Sequence, residues 1–308
     1  MSAFPKTVAV VGSGALGSYY GAKIARQGAD VRFLMRADLP AVREHGLRVR
    51  EEGRAEWTLS PAHAFGSTAE IGPVDLVIIA VKTTANADLE RLIPPLLHDG
   101  TALLTLQNGL GNEEFLAARW GGERVLGGLC FVCLNRIAPG MVEHYGHGTL
   151  SLGEFRRPPV ERTRAIGAMF AGAGVETNVV ENLVTERWRK LVWNIPFNGL
   201  SIATGGLTCD LLLADEGLNR QVRALMAETI SAAGALGHEI PASFIDCQIE
   251  RTLTMGPYKP SSMIDWQLGR PVEVEAIWGE PWRQGIAAGA VQPRLDLLYT
   301  LLRQLTSR

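Results

Sequence analysis

A lysine and two asparagines recur at four-residue intervals in an otherwise apolar stretch. They are Lys190, Asn194 and Asn198, within residues 185–200. A spacing of four keeps side chains on one face of an α-helix, with a drift of about 40° per step. Burying these polar groups costs free energy unless each one finds a partner. The stripe therefore either faces solvent or backbone partners, or forms the wall of a ligand pocket. Pro196 should kink or interrupt the helix near Asn194.

A glycine-rich turn links the first predicted strand to the first predicted helix. Residues 7–11 form an apolar strand pattern, residues 18–27 a helical one, and residues 31–35 a second strand. Between strand and helix lies a G-x-G-x-x-G motif, a context that predicts a dinucleotide site. Its glycines permit a tight turn, close approach of a pyrophosphate and close helix–strand packing, while the helix N-terminus offers N–H donors. The residues expected to bind the cofactor here are Gly12, Gly14, Ala15, Leu16 and Gly17.

The residue at the end of the second predicted strand distinguishes between the two nicotinamide dinucleotides. An NAD site usually places a carboxylate there, which accepts hydrogen bonds from the ribose hydroxyls. In this chain the position is Arg36, nineteen residues after Gly17. A guanidinium is suited to bidentate bonding of a 2′-phosphate, which predicts NADP(H). The alternative is an exposed arginine, with Asp38 holding the ribose.

Two further polar residues follow apolar strands. Lys82 comes directly after residues 74–81, and Asn108 follows residues 101–106 within a Gln-Asn-Gly-Leu-Gly run. Ligands of open parallel sheets bind beyond the carboxyl ends of the strands. We therefore expect Lys82 to meet cofactor or substrate, and Asn108 to donate to the nicotinamide or the substrate. The alternatives are a lysine that merely caps a strand and an Asn-Gly turn.

The order of these elements predicts an α/β protein. Continuous apolar strands alternate with helices, which is typical of a parallel sheet covered on both faces. Residues 47–60 suggest a short hairpin off the main sheet, and the pattern becomes helical after residue 180. We predict a Rossmann-type doubly wound sheet in an NADP(H)-binding domain of residues 1–180. An all-helical substrate and catalytic domain of residues 181–308 follows.

The overall composition excludes several classes of partner. The chain has 308 residues, a formal net charge of −2, 46% hydrophobic residues and 20% charged residues. These values are typical of a globular protein and argue against a nucleic-acid surface or a polybasic membrane patch. No apolar run reaches the length of a membrane span, and glycines interrupt the N-terminal apolar stretch, unlike a signal peptide. With unpaired cysteines as the default, we expect a cytoplasmic protein.

No metal site is predicted, and the sequence leaves the oligomeric state open. His144 and His147 lie three residues apart, but no carboxylate or cysteine accompanies them in a familiar ligand pattern. Most of the tryptophans lie in the second half, where they build a core or a subunit contact, so a homodimer is one arrangement we consider. They are Trp188, Trp193, Trp266, Trp278 and Trp282.

Taken together, these residues resemble the ketopantoate reductase (2-dehydropantoate 2-reductase) family over nearly the whole chain. The glycine motif is shared with many dehydrogenases. Much more particular is the tryptophan-x-lysine-leucine run followed by two spaced asparagines, together with a Ser-Ser-Met and a Gly-Arg-Pro-x-Glu motif. The matching segments are residues 11–17, 81–82, 107–111, 187–191, 261–263 and 269–273.

The resemblance implies NADPH-dependent reduction of 2-dehydropantoate to pantoate, on the route to pantothenate and coenzyme A. Hydride delivery to a ketone leaves negative charge on its oxygen, which a positioned ammonium can stabilise and then protonate. By resemblance, the catalytic residues are Lys190, as general acid, and Glu273. The family's substrate-binding positions fall on Asn108, Asn194, Asn198, Ser262 and Glu273, while Arg36, Lys82 and Asn108 match cofactor positions.

Three departures from the family pattern leave the substrate open. Ser262 and Glu273 are one residue closer than expected, Trp278 stands where many members have asparagine, and Asn86 stands beside the position of an expected glutamine at Ala85. A bulky Trp278 near Glu273 favours a different 2-oxo acid. The alternatives are therefore a reductase of another small 2-oxo acid on the same scaffold and a non-catalytic NADP(H)-binding sensor.

Overall fold

The structure is a computed structural model that describes residues 5–307. Packing divides the chain into two compact units. The first comprises the described residues up to Gln107 together with Asn112–Leu183, and the second comprises Asn108–Gly111 and the residues from Val184 onward. The short segment Asn108–Gly111 thus packs with the helical half of the chain, although it lies within the predicted domain of residues 1–180.

The first unit is built on one mixed sheet with the strand order β4-β3-β9-β8-β7-β6-β1-β2-β5, and β10 pairs with β9. The strands from β8 to β5 in this order are parallel, whereas β8 and β9 are antiparallel. The strands are β1 (Thr7–Val11), β2 (Asp30–Leu34), β3 (Leu47–Glu51), β4 (Trp57–Leu59), β5 (His63–Phe65), β6 (Leu76–Ile79), β7 (Ala102–Thr105), β8 (Val125–Ala138), β9 (Met141–Glu154) and β10 (Thr177–Val179).

Helices cover both faces of this sheet. Side chains of a strand alternate between faces, and β1 shows the result: Val8 and Val10 belong to one buried apolar cluster, whereas Ala9 and Val11 belong to another. This two-sided burial explains why the parallel strands read as continuous apolar runs. The helices of the unit are α1 (Ala15–Arg26), α2 (Leu39–His45), α3 (Thr68–Ile71), α4 (Asn86–Leu92), α5 (Asn112–Trp120) and α6 (Glu161–Gly172).

The second unit is helical, as predicted. Its own apolar cluster includes the fully buried Trp188 and Trp278. The helices are α7 (Leu183–Ala203), α8 (Cys209–Ala214), α9 (Glu216–Ala235), α10 (Phe244–Leu253), α11 (Ser261–Gln267), α12 (Glu280–Ala287) and α13 (Pro293–Leu305), with a π-helical turn at Glu275–Gly279 before α12. Together the two units confirm the predicted fold class, a doubly wound α/β sheet followed by an all-helical part.

One detail of the sequence-based prediction is wrong. The hairpin at residues 47–60 forms, with Leu47 opposite Leu59, but it is not separate from the main sheet. Its strand β3 pairs in parallel with β9, because the long β8–β9 hairpin offers an edge beyond the parallel strands. Of the two effects expected of Pro196, the interruption is absent: α7 continues through the proline. Tertiary packing compensates for the missing backbone donor, since the neighbouring residues Ile195 and Phe197 are completely buried.

Within residues 5–307, none of the helices combines the length and the apolar character that crossing a bilayer requires.

Candidate functional site

The glycine-rich turn lies at the point where the strand order reverses, between β1 and β6. Gly12 has a φ of +101°, and a Cβ there would collide with the backbone of Ala80 and Val81 just beyond β6. A Cβ on Gly17 would collide with the carbonyl oxygen of Gly12, whereas a Cβ on Gly14 would meet no atom within 4 Å. The first and third glycines therefore close the turn, and the second leaves an open approach. Such a switch point is where dinucleotides bind in this fold.

The N-terminus of α1 faces this open approach. Ala15 and Leu16 begin the helix, and the N-cap residue Gly14 has no side chain to accept from the first N–H groups. Uncapped N–H donors and the positive end of the helix dipole are suited to a pyrophosphate. The glycine-motif residues Gly12, Gly14, Ala15, Leu16 and Gly17 thus have the shape and donors that a dinucleotide requires.

The structure distinguishes the two candidate ribose contacts. Arg36 is exposed just after β2, and none of residues 5–307 forms a hydrogen bond or ion pair with its guanidinium. Asp38 is only 6% exposed. Its carboxylate accepts from Arg136 at 2.6 Å and from the N–H of Gly140 at 3.2 Å. Because both oxygens of Asp38 are engaged, the alternative in which Asp38 holds the ribose loses support.

Lys82 lies three residues after the end of β6, at the same edge of the sheet as the glycine turn. Its side chain is half-buried, and its carbonyl accepts from the N–H of Ala85 in a short 3₁₀ turn. This position beyond a strand end is the one predicted from the sequence.

A network of buried amides at the ends of β6 and β7 was not predicted. Gln107 donates to Asn86 at 2.7 Å, Asn86 donates to Asn112 at 3.1 Å, and Thr105 donates to Gln107 at 2.9 Å. Gln107 and Asn112 immediately precede and follow Asn108–Gly111, so the network fixes both ends of that segment. One sequence feature pointed to this network: Asn86 lies beside Ala85, the position at which the family resemblance led us to expect a glutamine.

In the second unit, the ammonium of Lys190 donates to the side-chain oxygen of Asn108 at 2.8 Å. Lys190 is half-buried on α7. The sequence predicted Asn108 as a contact of the nicotinamide or the substrate. The structure also pairs it with Lys190, which lies 82 residues later in the chain.

A π-helical turn holds the Asn108 segment in place. The N–H of Glu280 reaches the carbonyl of Glu275, five residues back. The same register would pair residue 281 with Ala276, but Pro281 has no N–H to donate. The carbonyl of Ala276 accepts instead from the N–H of Leu110 at 2.9 Å. A proline in one helix thus frees the acceptor that anchors the loop, in keeping with the frequent occurrence of π-turns at functional sites.

Gly109 is required by this anchor for two reasons. Its φ is +82°, and a Cβ there would collide with the carbonyl of Ala276. The Asn-Gly pair that the sequence allowed as a simple turn signal is therefore a close backbone contact with the π-turn. This contact fixes the direction in which Asn108 meets Lys190.

The other two members of the stripe differ in their surroundings. Asn194 is 8% exposed, and within residues 5–307 its side-chain amide forms no hydrogen bond. Asn198 is 2% exposed, and its oxygen accepts from the backbone N–H of Ser262 at 2.9 Å. Asn198 therefore caps α11, whose own N-cap residue is Pro260 and cannot do so. The two asparagines of the stripe are therefore buried, whereas Lys190 is half-buried, and of the two asparagines only Asn198 has a hydrogen-bond partner among residues 5–307.

Two glutamates lie before and within the π-turn, and one of them is held by neighbouring helices. Glu273 is half-buried two residues before the turn. Glu275 accepts from Tyr299 at 2.7 Å and from Arg283 at 2.8 Å. Burial raises the pKa of Glu275, but these hydrogen bonds outweigh it and the net pKa is lowered. Glu275 therefore stays ionised and ties the π-turn to α12 and α13.

Trp278 does not line an open pocket. Its side chain is fully buried, and its indole N–H donates to the carbonyl of Ile195 at 2.9 Å. A Cβ on Gly199 would approach the indole nitrogen to 2.8 Å, so this glycine makes room for the ring. The expectation that Trp278 reshapes the substrate pocket is therefore wrong, because the ring belongs to the helical core beneath α7.

The two histidines have other roles. The Nε2 atom of His144 lies 2.8 Å from the carbonyl oxygen of His147, and its ring stacks on Tyr19. Among residues 5–307, no group of three or more histidine, cysteine, aspartate or glutamate side chains is arranged to hold a metal ion.

Comparison with known proteins identifies the family to which these features belong. A family model described as ketopantoate reductase PanE/ApbA matches residues 8–157, and one described as ketopantoate reductase PanE/ApbA C terminal matches residues 182–306. A 2-dehydropantoate 2-reductase of Nostoc sp. is 39% identical over 305 residues, which cover 97% of this chain and 95% of that protein.

Solved structures agree with this assignment. A crystal structure of 2-dehydropantoate 2-reductase from Geobacter metallireducens has a TM-score of 0.93 at 45% identity and covers 97% of this chain and 99% of its own. The ternary structure of D-mandelate dehydrogenase with NADH and anilino(oxo)acetate has a TM-score of 0.89 at 22% identity, over 98% of each chain. At that identity the similarity concerns the fold alone. The match of both family models and the Nostoc relative show that the chain belongs to the ketopantoate reductase family of oxidoreductases.

Proposed function

We propose that this chain reduces 2-dehydropantoate to pantoate with NADPH, on the route to pantothenate. The single observation that carries the proposal is the ammonium of Lys190, which is half-buried on α7 and donates to Asn108 at 2.8 Å. The names of the relatives support 2-dehydropantoate as the substrate. The open glycine turn supports a dinucleotide as the cofactor. We propose residues 1–180 as the cofactor-binding domain and residues 181–308 as the substrate domain.

The choice of NADPH rests on Arg36. Its guanidinium is exposed at the end of β2, whereas the nearby carboxylate of Asp38 is buried and engaged by Arg136. A 2′-phosphate requires a cation at this position and no competing carboxylate. Lys82, just beyond β6 on the other side of β1, supplies a second cation for the cofactor. The bound dinucleotide supplies the hydride.

Lys190 is proposed as the general acid. An ammonium carries three N–H donors, and Asn108 accepts one of them. That bond directs the Nζ atom, so a donor meets the carbonyl oxygen of a 2-oxo acid at the site. Negative charge that develops on this oxygen during reduction is stabilised by the ammonium, and the proton on Nζ then completes the hydroxyl group.

The remaining residues of the site are proposed to bind the substrate. Asn194 is 8% exposed and its side-chain amide forms no hydrogen bond to residues 5–307, so it is available to a substrate oxygen or hydroxyl group. Ser262 is 4% exposed and is held by Asn198, which places its hydroxyl for a carboxylate. Glu273 accepts from a substrate hydroxyl. Asn198 has its oxygen committed to α11, so its role is to position Ser262.

The function is tested with a substrate panel. Purified protein is assayed by NADPH absorbance against 2-dehydropantoate, 2-oxobutyrate, 2-oxoisovalerate and phenylglyoxylate. We expect the highest kcat/KM with 2-dehydropantoate, because its hydroxyl has partners in Asn194 and Glu273 that the other acids leave unpaired. A clear preference for another acid would replace the proposed substrate. Tight NADPH binding with no turnover of any acid would favour a sensor.

Replacement of the lysine tests its catalytic role. Lys190→Ala is expected to lower kcat by about 10²- to 10⁴-fold, the usual range for the loss of a general acid. The dissociation constant for NADPH, measured without substrate, should stay close to that of the wild type. Lys259→Ala serves as the matched control, because this exposed lysine lies in the same unit. Unchanged kcat in Lys190→Ala would refute the assignment.

The anchor of the Asn108 segment is tested by Gly109→Ala. The added Cβ collides with the carbonyl of Ala276 and displaces Asn108, so kcat should fall by about 10- to 100-fold, the usual cost of a small misplacement. Gly237→Ala is the control, because Gly237 has a similar φ of +84° and no atom within 4 Å of an added Cβ. It should lose thermal stability but not kcat. Equal effects of both variants on kcat would show that only backbone strain matters.

The 2′-phosphate contact is tested by Arg36→Asp. This change removes a charge-assisted hydrogen bond and adds repulsion, so NADPH should bind about 100-fold more weakly or worse. NADH lacks the phosphate and serves as the internal control, with a change of only a few-fold. Equal losses for both cofactors in fluorescence titrations would contradict the role of Arg36.

A further inference from the structure

The carboxylate of Asp38 is held away from the cofactor edge by a second structural element. Asp38 is the N-cap residue of α2, yet its side chain does not cap that helix. Its Oδ1 atom accepts from Nη1 of Arg136 at 2.6 Å, and its Oδ2 atom accepts from the N–H of Gly140 at 3.2 Å. Burying a carboxylate to 6% exposure costs free energy unless such partners accompany it.

Both partners belong to the β8–β9 hairpin, which is itself fixed. Arg136 lies near the end of β8, and Gly140 lies in the turn to β9. The carbonyl of Gly140 accepts from the N–H of Arg48 on β3 at 2.8 Å. A Cβ on Gly140 would approach a methyl group of Val42 on α2 to 2.8 Å, so the turn packs directly on that helix. Asp38 is therefore held by a rigid element of the sheet.

This arrangement bears on the choice of cofactor because of where Asp38 lies. It is two residues after Arg36, in the connection that follows β2, where NAD-specific sites present a carboxylate to the ribose hydroxyls. A free carboxylate here would accept from the ribose of NADH and repel the 2′-phosphate of NADPH. With both oxygens engaged and its charge balanced by Arg136, Asp38 does neither.

We propose that Arg136 is a specificity-determining residue, which enforces the preference for NADPH by holding the Asp38 carboxylate. The proposal rests on the proposed use of NADPH and deepens it. Arg36 provides the attraction for the phosphate, and Arg136 removes the group that would oppose it. Discrimination between two ligands often combines an attractive contact with suppression of a competing one.

A different explanation is that Arg136 contacts the phosphate itself, since its side chain is 49% exposed. The two explanations differ in what happens when Asp38 is neutralised as well. If Arg136 acts through Asp38, replacing the arginine no longer changes the preference for NADPH once the carboxylate has been removed. If Arg136 contacts the phosphate directly, replacing the arginine weakens that preference with or without the carboxylate.

The experiment measures dissociation constants for NADPH and NADH by fluorescence titration without substrate. The proteins are the wild type, Arg136→Gln, Arg136→Lys, Asp38→Asn and the double variant Asp38→Asn/Arg136→Gln. We expect the NADH/NADPH ratio of dissociation constants to fall about tenfold in Arg136→Gln, the scale of one charge-assisted hydrogen bond. It should remain near the wild-type value in the other three proteins. Lysine retains the charge that pairs with Asp38, and thermal unfolding verifies that each variant is folded.

Arg50→Gln is the matched control for net charge. Arg50 is also ion-paired to carboxylates at the same sheet, with a side chain 48% exposed, so its replacement should leave the ratio unchanged. A ratio that stays low in the double variant would overturn the proposal in favour of direct contact. An unchanged ratio in Arg136→Gln would overturn it as well. A wild-type ratio near one would instead contradict the cofactor assignment itself, whatever the variants show.

Discussion

The proposed role of Lys190 depends on the hydrogen bond from its ammonium to the side-chain oxygen of Asn108. A lysine side chain has four rotatable bonds, so it needs a fixed partner to direct its charge. Asn108 can serve only because the backbone on either side of it is fixed. Leu110 donates to Ala276 on one side, and the amide network of Gln107 and its neighbours lies on the other.

A local defect in a helix makes this arrangement available. Pro281 cannot donate to Ala276, and the π-register leaves that carbonyl facing the loop. An unpaired buried carbonyl would cost about 1–3 kcal/mol, so the loop and the π-turn satisfy each other. Glu275, held by Tyr299 and Arg283, ties the turn to the following helices. The features that look irregular in isolation are those that hold the partner of Lys190, the proposed general acid.

Close backbone contacts also shape the proposed dinucleotide site. Gly12 and Gly17 allow the glycine turn to close against β6 and α1, at the switch point of a sheet whose two faces are both covered. We propose that selectivity for NADPH depends on two residues, the exposed Arg36 and the Asp38 carboxylate, whose two oxygens are engaged by the β8–β9 hairpin. In this proposal an attractive cation and an engaged carboxylate together account for the preference.

The sequence by itself determined the elements and the residue types of the site. The glycine spacing between a strand and a helix, the continuous apolar strands and the four-residue stripe each follow from local geometry, so they could be read without coordinates. Pairing across long separations could not. That Lys190 meets Asn108, that Asn198 caps α11 and that Trp278 lies in the core were decided by tertiary packing. The physical reason is that a side chain's partner depends on which surfaces pack together, and residues far apart in sequence leave no periodic signal of that contact.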